Sequence, residues 1–281
     1  MNTFWTVYIL LTLNAAAQIT RPVDKEAPPL IELGAGIASF YFPDYAGAEH
    51  GRVYTFPFPT GIIRGENFRV DEEGGARGRF VSDPKYELSL SGSLTFASDA
   101  KDNPVRTGMP DLDSMIELGP SILYHFKRWS ADSQYKVGLA LPVRLAFATD
   151  FKDTEDRGLV FNPFLYMIKE NLFQLPMIFL LGLDARWATE RYMDYYYQVD
   201  PAFQTGSRPA YDAKAGLLQT SLVAAFSYTF FKEHTIFIAG QWATVDGSQI
   251  ENSPLVVNKQ NFSWAVGYTW WFYKSPWLGV R

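Results

Sequence analysis

With 281 residues, 47% of them hydrophobic and 20% charged, the chain has material for one large β domain or two smaller ones, and no shift in composition marks a second. A net charge of -5, interspersed along the chain, leaves no basic patch for nucleic acid. The absence of Cys removes disulfides, thiolate metal sites and a thiol nucleophile, and the three His, at 50, 125 and 234, lack metal-ligand spacing.

Residues 1–17 read as an export signal: an apolar run from Phe4 to Leu13 precedes Ala15-Ala16-Ala17. The run is too short to span ~30 Å of hydrocarbon as a helix. Residues 18–29 then form a polar, periplasmic leader. From Leu30 the pattern alternates, with Ile31, Leu33, Ala35, Ile37 and Tyr41 on one side and Glu32, Gly34, Gly36 and Ala38 on the other, which predicts a strand. Pro43 to Gly47 breaks it, and Val53 to Ile62 resumes it, with Pro57 and Pro59 predicting an irregular strand. Phe68–Asp71 and Arg77–Val81 flank a Gly74-Gly75 tip as a short hairpin.

Alternation returns at Tyr86, Leu88, Leu90, Leu94 and Phe96, opposed by Glu87, Ser89, Ser91, Ser93 and Thr95. It continues through Ile116–Phe126, Tyr135–Phe147, Met177–Trp187, Leu218–Phe230 and Ile236–Trp242, whereas Leu159–Ile168 is apolar on both faces and its phase is open. The last strand is the clearest: Phe262, Trp264, Val266, Tyr268, Trp270 and Phe272 face away from Ser263, Ala265, Gly267 and Thr269. A large aromatic face opposite a small, uncharged one suits a strand with lipid outside and a crowded or water-filled interior. Counting the hairpin, the prediction is an all-β, antiparallel up-and-down transmembrane barrel of about twelve strands over 30–273, with a C-terminal extension at 274–281. Short connections at 127–134, 170–175 and 231–234 alternate with long polar ones at 98–113, 150–158, 189–215 and 245–260, as periplasmic turns alternate with external loops in outer-membrane barrels.

Leu33-Gly34-Ala35-Gly36, Pro43-Asp44-Tyr45-Ala46-Gly47 and Arg106 to Asp113 running into Glu117-Leu118-Gly119 resemble the MipA/OmpV family of outer-membrane proteins. Tyr192 to Val199, Arg208-Pro209-Ala210-Tyr211 and Ser253-Pro254-Leu255-Val256 follow as further landmarks in order. Barrels of this kind usually end on an aromatic residue, whereas Lys274 to Arg281 extends past Tyr273. The alternation and loop asymmetry predict a monomer in the outer membrane of a Gram-negative bacterium, in contact with lipid, lipopolysaccharide and the barrel-assembly machinery, and the resemblance implies the same location. It further implies a scaffold for a periplasmic lytic transglycosylase and a murein synthase, with an adhesive or stress-responsive surface protein as the other family reading.

Three constellations are candidates for chemistry. Glu117, Ser121 and His125 share a strand face, but four-residue gaps at ~3.3 Å per residue set neighbours about 13 Å apart, too far for a nucleophile and its base. With no tight catalytic cluster, no enzyme and no cofactor are expected. Glu32, Glu87, Glu117, Arg144, Asp184 and Arg186 fall on the inner face, where they either brace a packed lumen or form the charged constriction of a small-solute channel. Tyr192, Asp194, Tyr195, Tyr196 and Arg208 form an aromatic, mixed-charge loop, read either as an external contact surface or as a loop folded into the barrel mouth.

Overall fold

A computed structural model describes residues 29–64, 68–71, 75–78, 85–127 and 135–278; the export signal and nearly all of the leader lie outside them. The strands are β1 (Ile31–Pro43), β2 (Gly51–Arg64), β3 (Phe68–Asp71), β4 (Gly75–Gly78), β5 (Tyr86–Thr95), β6 (Ser114–Lys127), β7 (Tyr135–Thr149), β8 (Thr154–Phe161), β9 (Phe164–Glu170), β10 (Met177–Ala188), β11 (Gly216–Phe230), β12 (His234–Thr244) and β13 (Gln260–Lys274). Among the described residues one α-helix, α1 (Glu190–Tyr197), lies in the loop after β10. All thirteen strands belong to one antiparallel sheet. β8 pairs with the upper half of β7 and β9 with the lower half, so the two form one crossing interrupted at Asn162-Pro163. Thirteen strands minus that shared position gives twelve places in the wall.

β1 pairs with β13, which brings the two ends of the barrel together. The extension beyond β13 continues the seam: Leu30 donates its N–H to the Trp277 carbonyl at 2.7 Å and Ser275 to that of Ile31 at 2.8 Å. β4 and β5 are the terminal strands of the sheet path and lie side by side.

The exposed large side chains form the lipid-facing belt, among them Leu33, Leu90, Leu118, Val143, Leu183, Ile238, Phe262 and Trp270. Inward positions are small or buried. The open phase of Leu159–Ile168 resolves simply: Val160, Tyr166 and Ile168 are buried and Leu159, Phe161 and Leu165 are exposed, so the phase passes through the break unchanged. Two residues depart from the alternation. Leu218 turns inward because a β-bulge between Arg186 and Trp187 of β10 and their β11 partners leaves it as an extra residue. Phe96, just past the end of β5, turns in and stacks on Tyr54 with ring centroids 4.4 Å apart.

Adjacent positions on β12 test the two faces. Ile238→Arg puts a charge in hydrocarbon, at a cost of about 2–4 kcal/mol near the bilayer centre, whereas Ala239→Arg points into a cavity. The expected outcome is a marked loss of folded, heat-modifiable protein for the first variant and near-normal yield for the second, compared on unboiled gels; equal yields would refute the facing.

Candidate functional site

The lumen is built in layers. At the end carrying the short turns, Arg64 donates to Glu32 at 2.8 Å and to the Pro29 carbonyl at 3.0 Å, and His125 lies 3.9 Å from Glu87. Glu32, Lys136 and Trp271 are 0%, 1% and 2% exposed, so these inner positions are closed to solvent. Above it lies an apolar layer that includes Phe40, Phe58, Tyr166, Ile178, Leu180 and Phe237. Facing glycines make room for its rings. A side chain at Gly36 would strike Phe58, one at Gly138 Tyr166, one at Gly182 Phe164 and one at Gly267 Phe237.

The third layer is a polar belt. Glu117 accepts from Arg144 Nε at 2.9 Å and also pairs with Arg186, which donates to the Tyr192 hydroxyl at 2.7 Å. Arg144 continues to Ser91 Oγ and Asn162 Oδ1, both at 3.2 Å, and Asn162 Nδ2 donates to Asp184 at 3.3 Å. Ser221 donates to Asp184 at 2.6 Å and Gln241 to Ser221 at 2.8 Å, so the chain of bonds runs from β5 round to β12. Two carboxylates face two guanidiniums, and the belt is formally neutral. Buried charges need such pairing, because each loses several kcal/mol of hydration on leaving water.

The outer layer is a cap of four loops. Tyr45 donates to the Leu255 carbonyl at 3.0 Å, Tyr197 to that of Ala46 at 2.9 Å, and Ser253 to that of Tyr197 at 3.1 Å. Arg106 reaches the Tyr196 carbonyl at 3.0 Å, and Arg208 clasps the carbonyls of Phe203 at 2.7 Å and Val105 at 2.8 Å. Burial pushes the Tyr45 and Tyr195 hydroxyls up to about 12 and lowers the Arg106 guanidinium from its ordinary value. Burial, then the neighbouring Glu190 and Asp212, raise the Asp194 carboxyl.

Of the residues singled out in the sequence, Glu117, Arg144, Asp184 and Arg186 meet in the belt, while Glu32 and Glu87 stand apart at the turn end. Glu117 and His125 therefore lie in different layers with different partners, and Ser121 is not joined to either by a hydrogen bond among those described. Tyr192, Tyr196 and Arg208 are buried within the cap and offer no external contact surface, whereas Asp194 and Tyr195 are half-buried. The belt also uses Asn162, Ser221 and Gln241, which the sequence reading did not single out; for Asn162 the signal was Asn-Pro interrupting an apolar stretch.

A cavity of about 510 Å³ runs from the apolar layer, where Tyr166 and Leu180 line it, past Arg144 and Asp184 of the belt to Tyr196 of the cap. Among the described residues no group of three or more His, Asp or Glu is placed to hold a metal.

The sequence matches the family described as MltA-interacting protein MipA over residues 35–272, most of the chain. The chain belongs to the MipA family, as an outer-membrane β-barrel. No curated protein matches it in sequence. Among solved structures it is similar to an outer membrane channel from Pseudomonas putida F1, at 14% identity over 89% of this chain and 99% of that one, with a TM-score of 0.46. It is also similar to the CymD monoaromatic hydrocarbon channel, at 10% identity over 97% and 95%, TM-score 0.36. The Pseudomonas putida toluene transporter TodX matches at 10% identity over 95% and 94%, TM-score 0.32.

In this MipA-family barrel Glu117 holds the belt together, since it pairs with both Arg144 and Arg186. Glu117→Leu leaves two guanidiniums without their carboxylate and is expected to lower stability by about 3–5 kcal/mol. Asp194→Asn, on the half-buried side of α1, is expected to change it by less than about 0.5 kcal/mol. Urea unfolding in lipid vesicles separates the two; matching midpoints would deny the belt its bracing role.

Proposed function

We propose that this protein is a non-enzymatic, non-conducting anchor of the Gram-negative outer membrane that holds a murein-acting enzyme, a lytic transglycosylase, with a murein synthase as second partner. The observation that carries the reading is at the short turns. Phe173 and Phe231 are 81% and 85% exposed, and both adopt left-handed backbone, at φ 55° and 50°. Phe231 and Lys232 both have positive φ, the turn geometry that normally selects Asn-Gly. Such conformations cost of order 1–3 kcal/mol each in a residue with a side chain. Stability alone disfavours residues with side chains in these conformations, so exposed rings there suit a surface made for contact. Trp277 and Leu278, also exposed, stand at the same end. In an outer-membrane barrel this end faces the periplasm, where murein enzymes work.

The packing at the turn end supports the non-conducting half of the reading, because an aqueous path needs accessible inner positions and Glu32, Lys136 and Trp271 are buried there. The family description names an MltA-interacting protein, which supports a lytic transglycosylase as partner. The belt bonds hold its carboxylates in structural pairs, which supports the absence of catalysis.

Purified barrel immobilised in detergent is expected to retain a murein hydrolase from periplasmic extract, identified by mass spectrometry and zymogram. The Phe173→Ser, Phe231→Ser double variant is expected to retain at least tenfold less while folding normally. In planar bilayers the wild type is expected to be silent. Steady current altered by Arg144→Ala would favour a channel, and equal retention by the double variant would remove the turns from the contact.

A further inference from the structure

The wall has a seam that its strands do not close. β3 pairs with β2 only at Ile63 and Arg64, and β5 pairs only with β6. Among the described residues, β2 above Ile63 and the opposite flank of β5 carry no strand partner. The seam is bounded below by the β3–β4 hairpin. Above, it is bridged by side chains, Arg52 donating to Asp102 at 3.1 Å and Tyr54 stacking on Phe96.

The hydrogen-bond parity shows that this seam is written into the sequence. Arg64 donates its N–H to the Leu30 carbonyl, so even-numbered β2 residues bond toward β1 and odd-numbered ones toward the seam. Pro57 and Pro59 occupy two of those seam-facing positions and have no N–H to give. On the other side, His125 donates to the Lys85 carbonyl, so Leu88, Leu90, Gly92 and Leu94 direct their backbone polar groups at the gap. A direct β2–β5 ladder would miss two of its donors at the middle of the strand.

The cavity extends to this seam. It is lined by the consecutive residues Ser89 to Gly92 and by Leu94 to Phe96, whose side chains point to alternate faces of the wall. A space lined by successive residues of one strand runs along that strand's edge, here the flank that has no strand partner among the described residues. Unpaired strand backbone at membrane depth is tolerated where it lines a polar or water-filled cavity, and this edge does so. Inside, the walls combine aromatic rings such as Tyr54 and Phe164 with the hydrogen-bonding groups of Arg144, Asn162 and Asp184.

We propose that the gap between β2 and β5 is a lateral portal between the membrane hydrocarbon and the chamber, serving an uncharged aromatic molecule that carries one hydrogen-bonding group, a phenol in chemical class. The ring enters past Leu90 and Leu94 and lies against Tyr54 and Phe164; its hydroxyl meets the polar belt. The volume, within the few hundred Å³ of ordinary ligand sites, suits a small substituted ring. This inference is independent of partner binding at the periplasmic turns.

The probe is 4-(trifluoromethyl)phenol, followed by fluorine NMR on the barrel in phosphatidylcholine nanodiscs. Saturable binding is expected. Plugging the rim with Leu90→Trp and Leu94→Trp should slow exchange at least tenfold with affinity changed less than threefold. The same change on the lipid face of a closed wall, Leu222→Trp with Phe226→Trp, should leave exchange as in the wild type. If the rim pair fails to fold, Leu90→Phe is used, with a slowing of at least threefold expected. As a second measurement, the chain lacks Cys, so bimane attached at Ser91→Cys can be read without background. It should be quenched by lipid spin-labelled on its acyl chain, whereas bimane at the inward Ala225→Cys on the far wall should not. Absence of saturable binding, equal exchange in rim and wall variants, or equal quenching at the two inner positions would each overturn the proposal.

Discussion

The structure depends on filling a narrow lumen with rings. Twelve wall positions enclose more space than small side chains can fill, and the solution is complementarity across neighbouring strands: one strand supplies no side chain where the next supplies a large one. Phe58 lies over Gly36, Tyr166 over Gly138, Phe164 over Gly182 and Phe237 over Gly267. The small inner face of β13 is thus crowded rather than wet. With the apolar layer packed, charges cannot sit in it, and they separate to its two sides, as Glu32–Arg64 below and as the Glu117 belt above.

The belt and the cap solve different problems. Inside the barrel, four charges share carboxylates, guanidiniums and amides so that each is partnered, which is the condition for keeping ions out of water at all. In the cap, Arg106 and Arg208 bond backbone carbonyls instead, Tyr196 and Val105 across loops and Phe203 within one, and so satisfy loop backbone that secondary structure leaves unpaired. Tyr192, Tyr195 and Tyr197 of α1 serve the cap with both ends, ring packed inward and hydroxyl on a carbonyl or carboxylate. That dual use is why a stretch with the look of a contact surface is mostly interior.

Fold and facing were legible because lipid and a packed lumen demand opposite residues at alternate positions. The exceptions have local causes that alternation cannot carry. Leu218 changes face through a bulge, and Phe96 through leaving its strand. The belt's charged members were legible as inward charges, since the lipid face excludes them. Their pairing was not, because Glu117, Arg144 and Arg186 meet only through the register of β6, β7 and β10, and Asn162 joins them only because the strand ladder opens there. The irregularity expected at Pro57 and Pro59 had the right residues but a different consequence: β2 keeps a full ladder with β1, and the prolines act on its other flank.

That flank links the packing of the barrel to its openness. A sheet edge inside a membrane is ordinarily removed by pairing, yet β2 carries proline on alternate residues facing the one neighbour that would close it. The rings of the apolar layer leave a cavity that runs past the belt to the cap, where Tyr45, Tyr197 and Leu255 tie the loops together. Among the described residues that flank is the boundary of the chamber that no strand ladder closes, so the access proposed there rests on the same side-chain packing that narrows the lumen.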